Sequence, residues 1–392
     1  MKLVLKIFLW ITGSIIFLVF LLIVIIQIPP IQDLARKKTV SFLQNKLKTK
    51  VEIKKLSIDL PKIIVLEGVY FEDQKRDTLL SGEVLKVDIS LIKLFNKQLQ
   101  INEIDLQGIV AKIQRTLPDS VFNFNYILKA FTTAPDKNIP PDTIPGMKFS
   151  LDKINLDRIN VSFKDTITAN DIRFHFDHFE TRFLEFDLVN KKFAIPGIKL
   201  SGLNASIVQG IPALKQESAA KVEADSNIPF EPDLKFGTID LSKIRINYQN
   251  DVSNLKTNLD LGQFIVDVES INLKKQRIAL KNIKLANIRS EIVLGKSELV
   301  KEVNKAAVEK LNSDWRTTVG NVDFSNINLK FDDSNKPVLK QGMDYAHLGL
   351  TDLNLQAETF SYSGDTISDR ISEAGLRTTD GFLLTSLQTR VI

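Results

Sequence analysis

The chain has 392 residues, of which 44% are hydrophobic and 25% are charged, so it can bury more than one small domain's core. Its formal net charge of +5 is mild, and no basic stripe alternates with aromatic residues, which excludes a dedicated nucleic-acid-binding protein. Cysteine is absent, which excludes a disulfide framework and a thiolate metal site.

The first predicted element is an uncharged apolar run from Ile7 to Ile26, within residues 1–30. As a helix it is long enough to cross a bilayer. Its length and the lack of a small-residue cleavage site favour an uncleaved signal anchor over a cleaved signal peptide. We expect a single pass with a cytoplasmic N-terminus and an exported bulk, although positive charge stands on both sides of the run. The residues assigned to the anchor are Ile7, Trp10, Phe17, Phe20 and Ile26.

Residues 31–50 are predicted to form a short amphipathic helix, because apolar residues recur there at helical spacing from Ile31 to Leu47. Such a helix could lie on a membrane surface or cap the first strand that follows it. Capping is the favoured interpretation, because an exposed edge strand needs blocking.

The remaining chain carries a ten-residue repeat, seen in Ile154–Phe163, with apolar residues at its first, third, sixth, eighth and tenth positions. Chance predicts roughly a third of one match when the intervening positions must also be polar, so the repeat is significant. Most copies are spaced by roughly 40 to 50 residues, as in repeat architectures. Full copies begin at Ile154, Ile198, Ile239, Val322 and Leu348, and imperfect ones at Ile64, Ile104 and Ile283.

This spacing is that of a β-strand with one interruption. Alternation puts the first and third residues on one face, and the extra polar residue then requires a β-bulge or a tight break to keep the sixth on that face. The repeat predicts a mainly β fold: a long, twisted, repetitive antiparallel sheet curled into an apolar groove, with short helical excursions. The groove candidates are Ile154, Leu156, Ile159, Val161, Phe163, Ile198, Leu200, Leu203, Ile239, Leu241, Ile244, Ile246, Val322, Phe324, Ile327 and Leu329.

Residues 1–131 contain a distinctive order of short motifs. After the anchor and the basic helix come Val51-Glu-Ile53, Leu66-Glu-Gly68-Val69, Asp73, Asp77-Thr-Leu-Leu80, Leu85-Lys-Val87, Leu91-Ile-Lys-Leu94, Leu99-Gln-Ile101-Asn-Glu-Ile104-Asp-Leu106, Arg115 and Phe122-Asn-Phe124. This order resembles that of the AsmA/TamB family. The resemblance implies a β-groove protein anchored in the inner membrane and extending through the periplasm. It also implies a role in moving phospholipid to the outer membrane, or in assembling outer-membrane and secreted proteins.

The predicted organisation therefore has an AsmA-like β region at 51–131, a proline-rich linker or loop at 132–148 and a repeated groove region at 149–392 that continues beyond the chain end. Asn123 to Phe131 is predicted to be a helical turn, and Ser297 to Leu311 a helix. With the polar stretch from Ile211 to Asp233, these segments are interpreted as excursions from one rim of a continuous sheet.

Catalysis has little support in the sequence. On a strand, His175 and His178 are predicted to lie on opposite faces, which makes them a poor metal pair. The acidic pairs Glu72-Asp73 and Asp332-Asp333 follow strand patterns and are predicted to be solvated turn residues. No phosphate-binding loop or nucleophile elbow is present. We therefore predict no enzyme, no catalytic residue, no metal and no cofactor.

Three functions remain open. The first is a conduit whose apolar face shields phospholipid acyl chains, with the bilayer and its lipids as partners. The second is a scaffold that pairs a strand with a client or an outer-membrane assembly protein. The third is an anchored spacer whose sheets close on each other.

Overall fold

A computed structural model describes residues 10, 12–14, 17–18, 21, 24–59, 63–90, 93, 98–118, 120–132, 148–212, 232–296, 315–364 and 366–391. Within these ranges the chain is mainly β, and its strands are hydrogen-bonded into a mixed sheet with few helices. The chain divides into two compact units. Unit 1 contains residues 1–111 and 123–153, and unit 2 contains residues 112–122 and 154–392.

The helices are α1 (Pro29–Leu47) and α2 (Asn125–Phe131). The first strands are β1 (Val51–Asp59), β2 (Ile63–Glu72), β3 (Thr78–Ile89), β4 (Gln98–Gln107), β5 (Val110–Arg115) and β6 (Lys148–Leu151). Next come β7 (Lys153–Asp165), β8 (Asn170–Arg182), β9 (Glu185–Asp187), β10 (Lys192–Ser201), β11 (Asn204–Gln209) and β12 (Asp233–Asn250). The last are β13 (Leu255–Asn272), β14 (Arg277–Leu294), β15 (Arg316–Asp333), β16 (His347–Ser363), β17 (Thr366–Thr378) and β18 (Leu383–Val391).

Part of the predicted anchor is described. Trp10, Phe17 and Ile26 are helical, whereas Ile7 and Phe20 lie outside the described residues. Across the ranges given above, no helix combines the length and the apolar character needed to pass through a bilayer.

In unit 1, α1 lies along β1 and caps it. Gln44 Nε2 donates to the carbonyl oxygen of Val51 at 2.9 Å, and Arg36 Nη1 donates to that of Ile53 at 2.9 Å. Gln32 Nε2 donates to the carbonyl oxygen of Ile58 at 3.1 Å. These donors occupy backbone acceptors that an edge strand otherwise exposes. The predicted capping role of the helix is confirmed.

The sheet of unit 1 is mixed. β1 pairs with β2, β2 with β3 and β3 with β4, all antiparallel, whereas β6 runs parallel to β4. Its core contains Leu47 of α1, Val51, Leu79 and Tyr126 of α2, and all four residues are buried. The helical turn predicted at Asn123 to Phe131 is confirmed as α2, whose Tyr126 hydroxyl donates to the carbonyl oxygen of Glu72 at 2.6 Å.

The sheet of unit 2 is also mixed, so the prediction of an antiparallel sheet is wrong in part. β8 pairs antiparallel with β10 and β11, which both run parallel to β12. β12, β13 and β14 are antiparallel neighbours, β14 and β15 are parallel, and β15 to β18 are antiparallel.

The parallel pairs also correct the interpretation of the interruptions. A parallel neighbour requires the chain to return to the end at which the previous strand began. β12 therefore begins at the opposite end of the sheet from the end of β11, and β15 from the end of β14, so the prediction of excursions from one rim is wrong for these two pairs of strands. The helix predicted from Ser297 to Leu311 lies outside the described residues, as do residues 133–147 of the proline-rich segment.

Candidate functional site

The fifth residue of every repeat copy has a left-handed backbone conformation. This conformation turns the strand, so the third and sixth residues of the copy point to the same side of the sheet. The predicted tight break is therefore confirmed in all eight copies. The φ angles lie between 53° and 70° at Gly68, Gly108, Arg158, Gly202, Lys243, Asn287, Asn326 and Asp352.

In unit 2 the breaks of neighbouring strands fall in one transverse row. β12 and β13 keep one register on both sides of the break, as do β13 with β14 and β14 with β15. From β12 to β15 no strand gains an unpaired residue at this row, so the apolar residues on either side stay aligned across these four strands. Between β15 and β16 the register shifts at Asn326. The row consists of the breaks at Gly202, Lys243, Asn287 and Asn326, and Gly262 of β13 lies in the same row between Lys243 and Asn287 without a left-handed conformation of its own.

The row of breaks places one apolar cluster on one face of unit 2. Its centre is Ile244, Leu261, Ile288 and Ile327, whose exposed fractions lie between 3% and 9%. Three of these four directly follow a break, and Leu261 is paired with two of them, Ile244 and Ile288. Half-buried side chains surround the centre: Leu200, Leu203, Leu241, Ile246, Leu259, Phe264, Leu285, Phe324 and Leu353.

The predicted groove residues differ in their burial. Ile159, Ile244, Val322 and Ile327 are buried. Side chains packed between two stacked sheets are mostly buried, whereas most of the predicted groove residues keep part of their surface accessible. We call the surface that the groove residues form the apolar face, and the opposite surface of the sheet the polar face. The half-buried members are Ile154, Leu156, Val161, Phe163, Ile198, Leu200, Leu203, Ile239, Leu241, Ile246, Phe324 and Leu329.

Two strands contribute apolar residues that the sequence reasoning missed. Phe174 and Phe179 of β8 lie directly opposite Ala205 and Leu200. Phe176 lies between them, with its ring 6.3 Å from that of Phe174 and 6.4 Å from that of Phe179. β13 adds Leu259, Leu261 and Phe264. Both strands have apolar residues two and then three positions apart, as in the repeat. The spacing of their apolar residues therefore marks both strands in the sequence, although neither has the strict alternation of the full copies.

The same spacing overturns the prediction for two histidines. Because β8 is interrupted between Phe176 and Phe179, His175 and His178 both lie opposite the phenylalanines, on the polar face. His175 Nδ1 is 3.1 Å from Asn160 Oδ1, and His178 Nδ1 is 2.7 Å from Asp157 Oδ1. Within the described ranges, no group of three or more potential ligands could hold a metal ion.

Two carboxylates predicted to be solvated in turns are instead buried. Asp73 is 1% exposed and accepts hydrogen bonds from the backbone N–H groups of Lys75 and Asp77 and from Asn123 Nδ2. Asp333 is 8% exposed and accepts from the backbone N–H of Asn335. Burial is tolerated because these donors replace water. Asp73 thereby fastens its turn to Asn123, whereas Asp333 stabilises its own turn.

A third buried carboxylate fastens unit 2 at the turn after β7. Asp165 is 3% exposed, and Arg115 donates to both of its oxygens, with Nε 2.9 Å from Oδ1. The Arg115 guanidinium also lies over the ring of Phe122 at 4.7 Å. This guanidinium, with further donors from Thr168 and Ile167, lowers the pKa of Asp165 to about 2.

Unit 2 has a cleft of about 740 Å³ whose lining includes Arg289, Lys330 and His347 together with apolar residues. The apolar residues are Leu329, Phe331, Val338, Leu348 and Leu350. His347 Nδ1 contacts a carboxylate oxygen of Asp332, and its Nε2 is 3.1 Å from the carbonyl oxygen of Lys336. Both partners accept hydrogen bonds, so the full geometry requires the doubly protonated ring. The Asp332 carboxylate accordingly raises the pKa of His347. This histidine fastens the segment after β15 to the sheet.

The fold and the site together define a β-rich protein with a mixed sheet that is apolar on one face and polar on the other. No protein-family model matches the chain, and no curated protein matches it in sequence.

Proposed function

We propose that this protein is an inner-membrane-anchored periplasmic protein whose apolar face shields the acyl chains of phospholipids between the inner and outer membranes. The observation that carries the proposal is the half-buried state of the apolar face in unit 2. Its side chains pack laterally, around Ile244 and its neighbours, yet keep accessible surface.

The chemistry of the face fits acyl chains. Removing one methylene from water contributes about 0.8 kcal/mol, so a strip of isoleucine, leucine and phenylalanine can hold a long chain without directional bonds. The opposite face supports solubility. Thr238 Oγ1 and Asn282 Nδ2 both donate to Asp267, and Asn321 Nδ2 donates to Asn282 at 2.9 Å. This polar ladder runs across four strands.

The cellular placement in the proposal rests on the sequence. The uncharged run from Ile7 to Ile26 has the composition of a signal anchor. The order of elements over residues 1–131 resembles that of the AsmA/TamB family, whose members connect the two membranes of diderm bacteria.

A polar substitution on the apolar face tests the proposal. Ile246→Asp places a carboxylate at a half-buried position and is expected to remove most of the phospholipid that copurifies with the chain, measured by mass spectrometry. The matched control is Asn247→Asp, which adds the same charge to the next, exposed position of β12. Ile244 is unsuitable, because at 3% exposure a carboxylate there would disrupt packing whatever the function.

Circular dichroism of both variants establishes that the sheet is intact. Equal phospholipid content in the two folded variants and in the wild type contradicts the proposal.

A second candidate, the assembly scaffold, is favoured by exposed apolar side chains on β17, on β18 and in the turn between them. Ile367, Phe382, Leu383 and Leu387 are between 39% and 53% exposed. Such side chains suit a partner strand added by β-augmentation. Photo-crosslinking from position 387 to an outer-membrane protein, with no phospholipid on the purified chain, would favour this scaffold over the conduit.

A further inference from the structure

Helix α1 has two faces with different surroundings. Gln32, Arg36, Leu43 and Leu47 face the protein, since two of them bond to β1 and the other two pack in the core of unit 1. At about 100° per residue these positions lie on one side of the helix. The inner face therefore accounts for the capping of β1 and leaves the outer face without a role.

The outer face carries large apolar side chains that are exposed. Ile31, Leu34 and Phe42 are 38%, 53% and 57% exposed. Together with Lys38 they fall within about 80° of the helix circumference. Scattered apolar residues are common on protein surfaces, but an aligned stripe on a helix indicates a binding surface.

The charge of the helix favours an anionic partner. Lys38 lies within this stripe, Lys37 and Lys46 lie on either side of it, and all three lysines are exposed. Asp33 is the one acidic residue of α1, and it is occupied by Arg36 at 2.6 Å and Lys37 at 2.8 Å. Exposed apolar side chains mixed with lysines on one side of a helix favour the interface of a membrane that contains anionic lipids.

We propose that the outer face of α1 binds the anionic lipid surface next to which the preceding apolar run would be anchored. The occupant follows from continuity along the chain, because the stripe begins five residues after Ile26. Ile31, Leu34 and Phe42 enter the headgroup region, and the lysines contact lipid phosphates. One helix thus fastens β1 on one side and the bilayer on the other. This inference rests on the proposed membrane anchorage but not on lipid in the groove.

The chain contains no cysteine, so a single introduced cysteine gives a site-specific reporter. Phe42→Cys carries a nitroxide on the outer face, and Lys55→Cys carries one at an exposed position of β1. Both full-length chains are reconstituted into vesicles of phosphatidylcholine with 30% phosphatidylglycerol (roughly physiological anionic content). We expect the reporter at 42 to be accessible to oxygen and shielded from a water-soluble nickel chelate, and the reporter at 55 to show the reverse.

Two comparisons make the test decisive. Replacing Lys37, Lys38 and Lys46 by glutamine in the Phe42→Cys background is expected to increase chelate accessibility at least two-fold. Equal chelate accessibility at positions 42 and 55, in chains that float with the vesicles, contradicts lipid binding by α1 but is compatible with the proposed membrane anchor. If the chains do not float with the vesicles, both the lipid binding by α1 and the membrane anchor are contradicted. Phospholipid retained by the groove is measured separately, because none of these substitutions lies on the apolar face.

Discussion

The two units use the same interrupted strand, yet their apolar clusters are covered differently. In unit 1 two helices close the cluster: α1 supplies Leu47, and α2 supplies Tyr126. In unit 2 the cluster around Ile244 is formed by strands that lie side by side in the sheet. The comparison shows that the repeat specifies a one-sided apolar sheet and leaves open what covers it. The covering decides whether such a sheet is a closed core or a binding surface.

The largest expected effect is the difference in stability lost by two leucine-to-alanine substitutions, one at a buried position of unit 1 and one at a half-buried position of unit 2. Leu79 of unit 1 is 6% exposed, whereas Leu241 of unit 2 is half-buried. Leu79→Ala leaves a cavity and is expected to cost about 3 kcal/mol, whereas Leu241→Ala should cost about 1 kcal/mol. Amide hydrogen exchange of β3 and β12 measures the two losses in opening free energy. Equal losses would mean that the two faces are equally covered.

The next prediction concerns the row of breaks in unit 2. A Cβ added at Gly262 would lie 2.8 Å from Asn287 Cβ and 3.0 Å from the carbonyl oxygen of Ala286. Gly262→Ala is therefore expected to destabilise unit 2 by about 2 kcal/mol in urea titrations. At Gly197 the nearest atom is 3.9 Å away, so Gly197→Ala serves as the tolerated control. If both substitutions are tolerated, the strands do not approach closely at this row.

A pH-dependent prediction follows from Asp165. Its pKa is about 2 in the folded chain, below its ordinary value of 3.8. The hydrogen bonds of the ionised Asp165 carboxylate, of which those from Arg115 are the largest, together contribute about 2 kcal/mol of folding stability. This contribution is fully present above about pH 4 and is lost as the pH falls through about 2. The stability difference between wild type and Asp165→Asn should narrow across that window.

The matched control for Asp165→Asn is Asp171→Asn, which removes an exposed pair with Arg173. That substitution should change stability little at any pH. A constant difference between wild type and Asp165→Asn from pH 6 to pH 2 would contradict the pairing with Arg115.

The smallest effect concerns the residue at the break itself. Unit 1 has glycine at these positions, Gly68 and Gly108, whereas unit 2 places Lys243 in the same left-handed conformation at a φ of 54°. Lys243→Gly removes the steric cost of a Cβ and should stabilise unit 2 by about 1 kcal/mol. Arg245→Gly, two residues along in extended backbone, should destabilise it slightly. Thermal unfolding of both variants tests whether the two substitutions change the stability of unit 2 in opposite directions.

The sequence was sufficient to predict the one-sided strand and its break, because both follow from the order of apolar and polar residues. The break residues carry a signal of their own: glycine, asparagine or aspartate fills six of the eight positions, and these residues tolerate positive φ best. Arg158 and Lys243 lack that signal, and their positions follow only from the surrounding repeat.

Other features could not be predicted because they depend on residues far apart in the chain. The alternation of apolar and polar residues is the same in strands with parallel and with antiparallel neighbours, so the sequences of β14 and β15 do not indicate their parallel pairing. The burial of Asp73 depends on Asn123, 50 residues away. Uninterrupted alternation predicts His175 and His178 on opposite faces, because the sequence of β8 does not show where the strand is interrupted between Phe176 and Phe179.

The most direct test of the open apolar face is site-specific photo-crosslinking in cells at two adjacent positions of β15. Leu329 is half-buried on the apolar face, and Lys330 is exposed on the polar face. A benzophenone amino acid at position 329 is predicted to form phospholipid adducts, detected by mass spectrometry, and the same group at 330 should form none. Crosslinks from 329 only to the chain's own residues, with no lipid adduct, would show that the face is closed and would contradict the account.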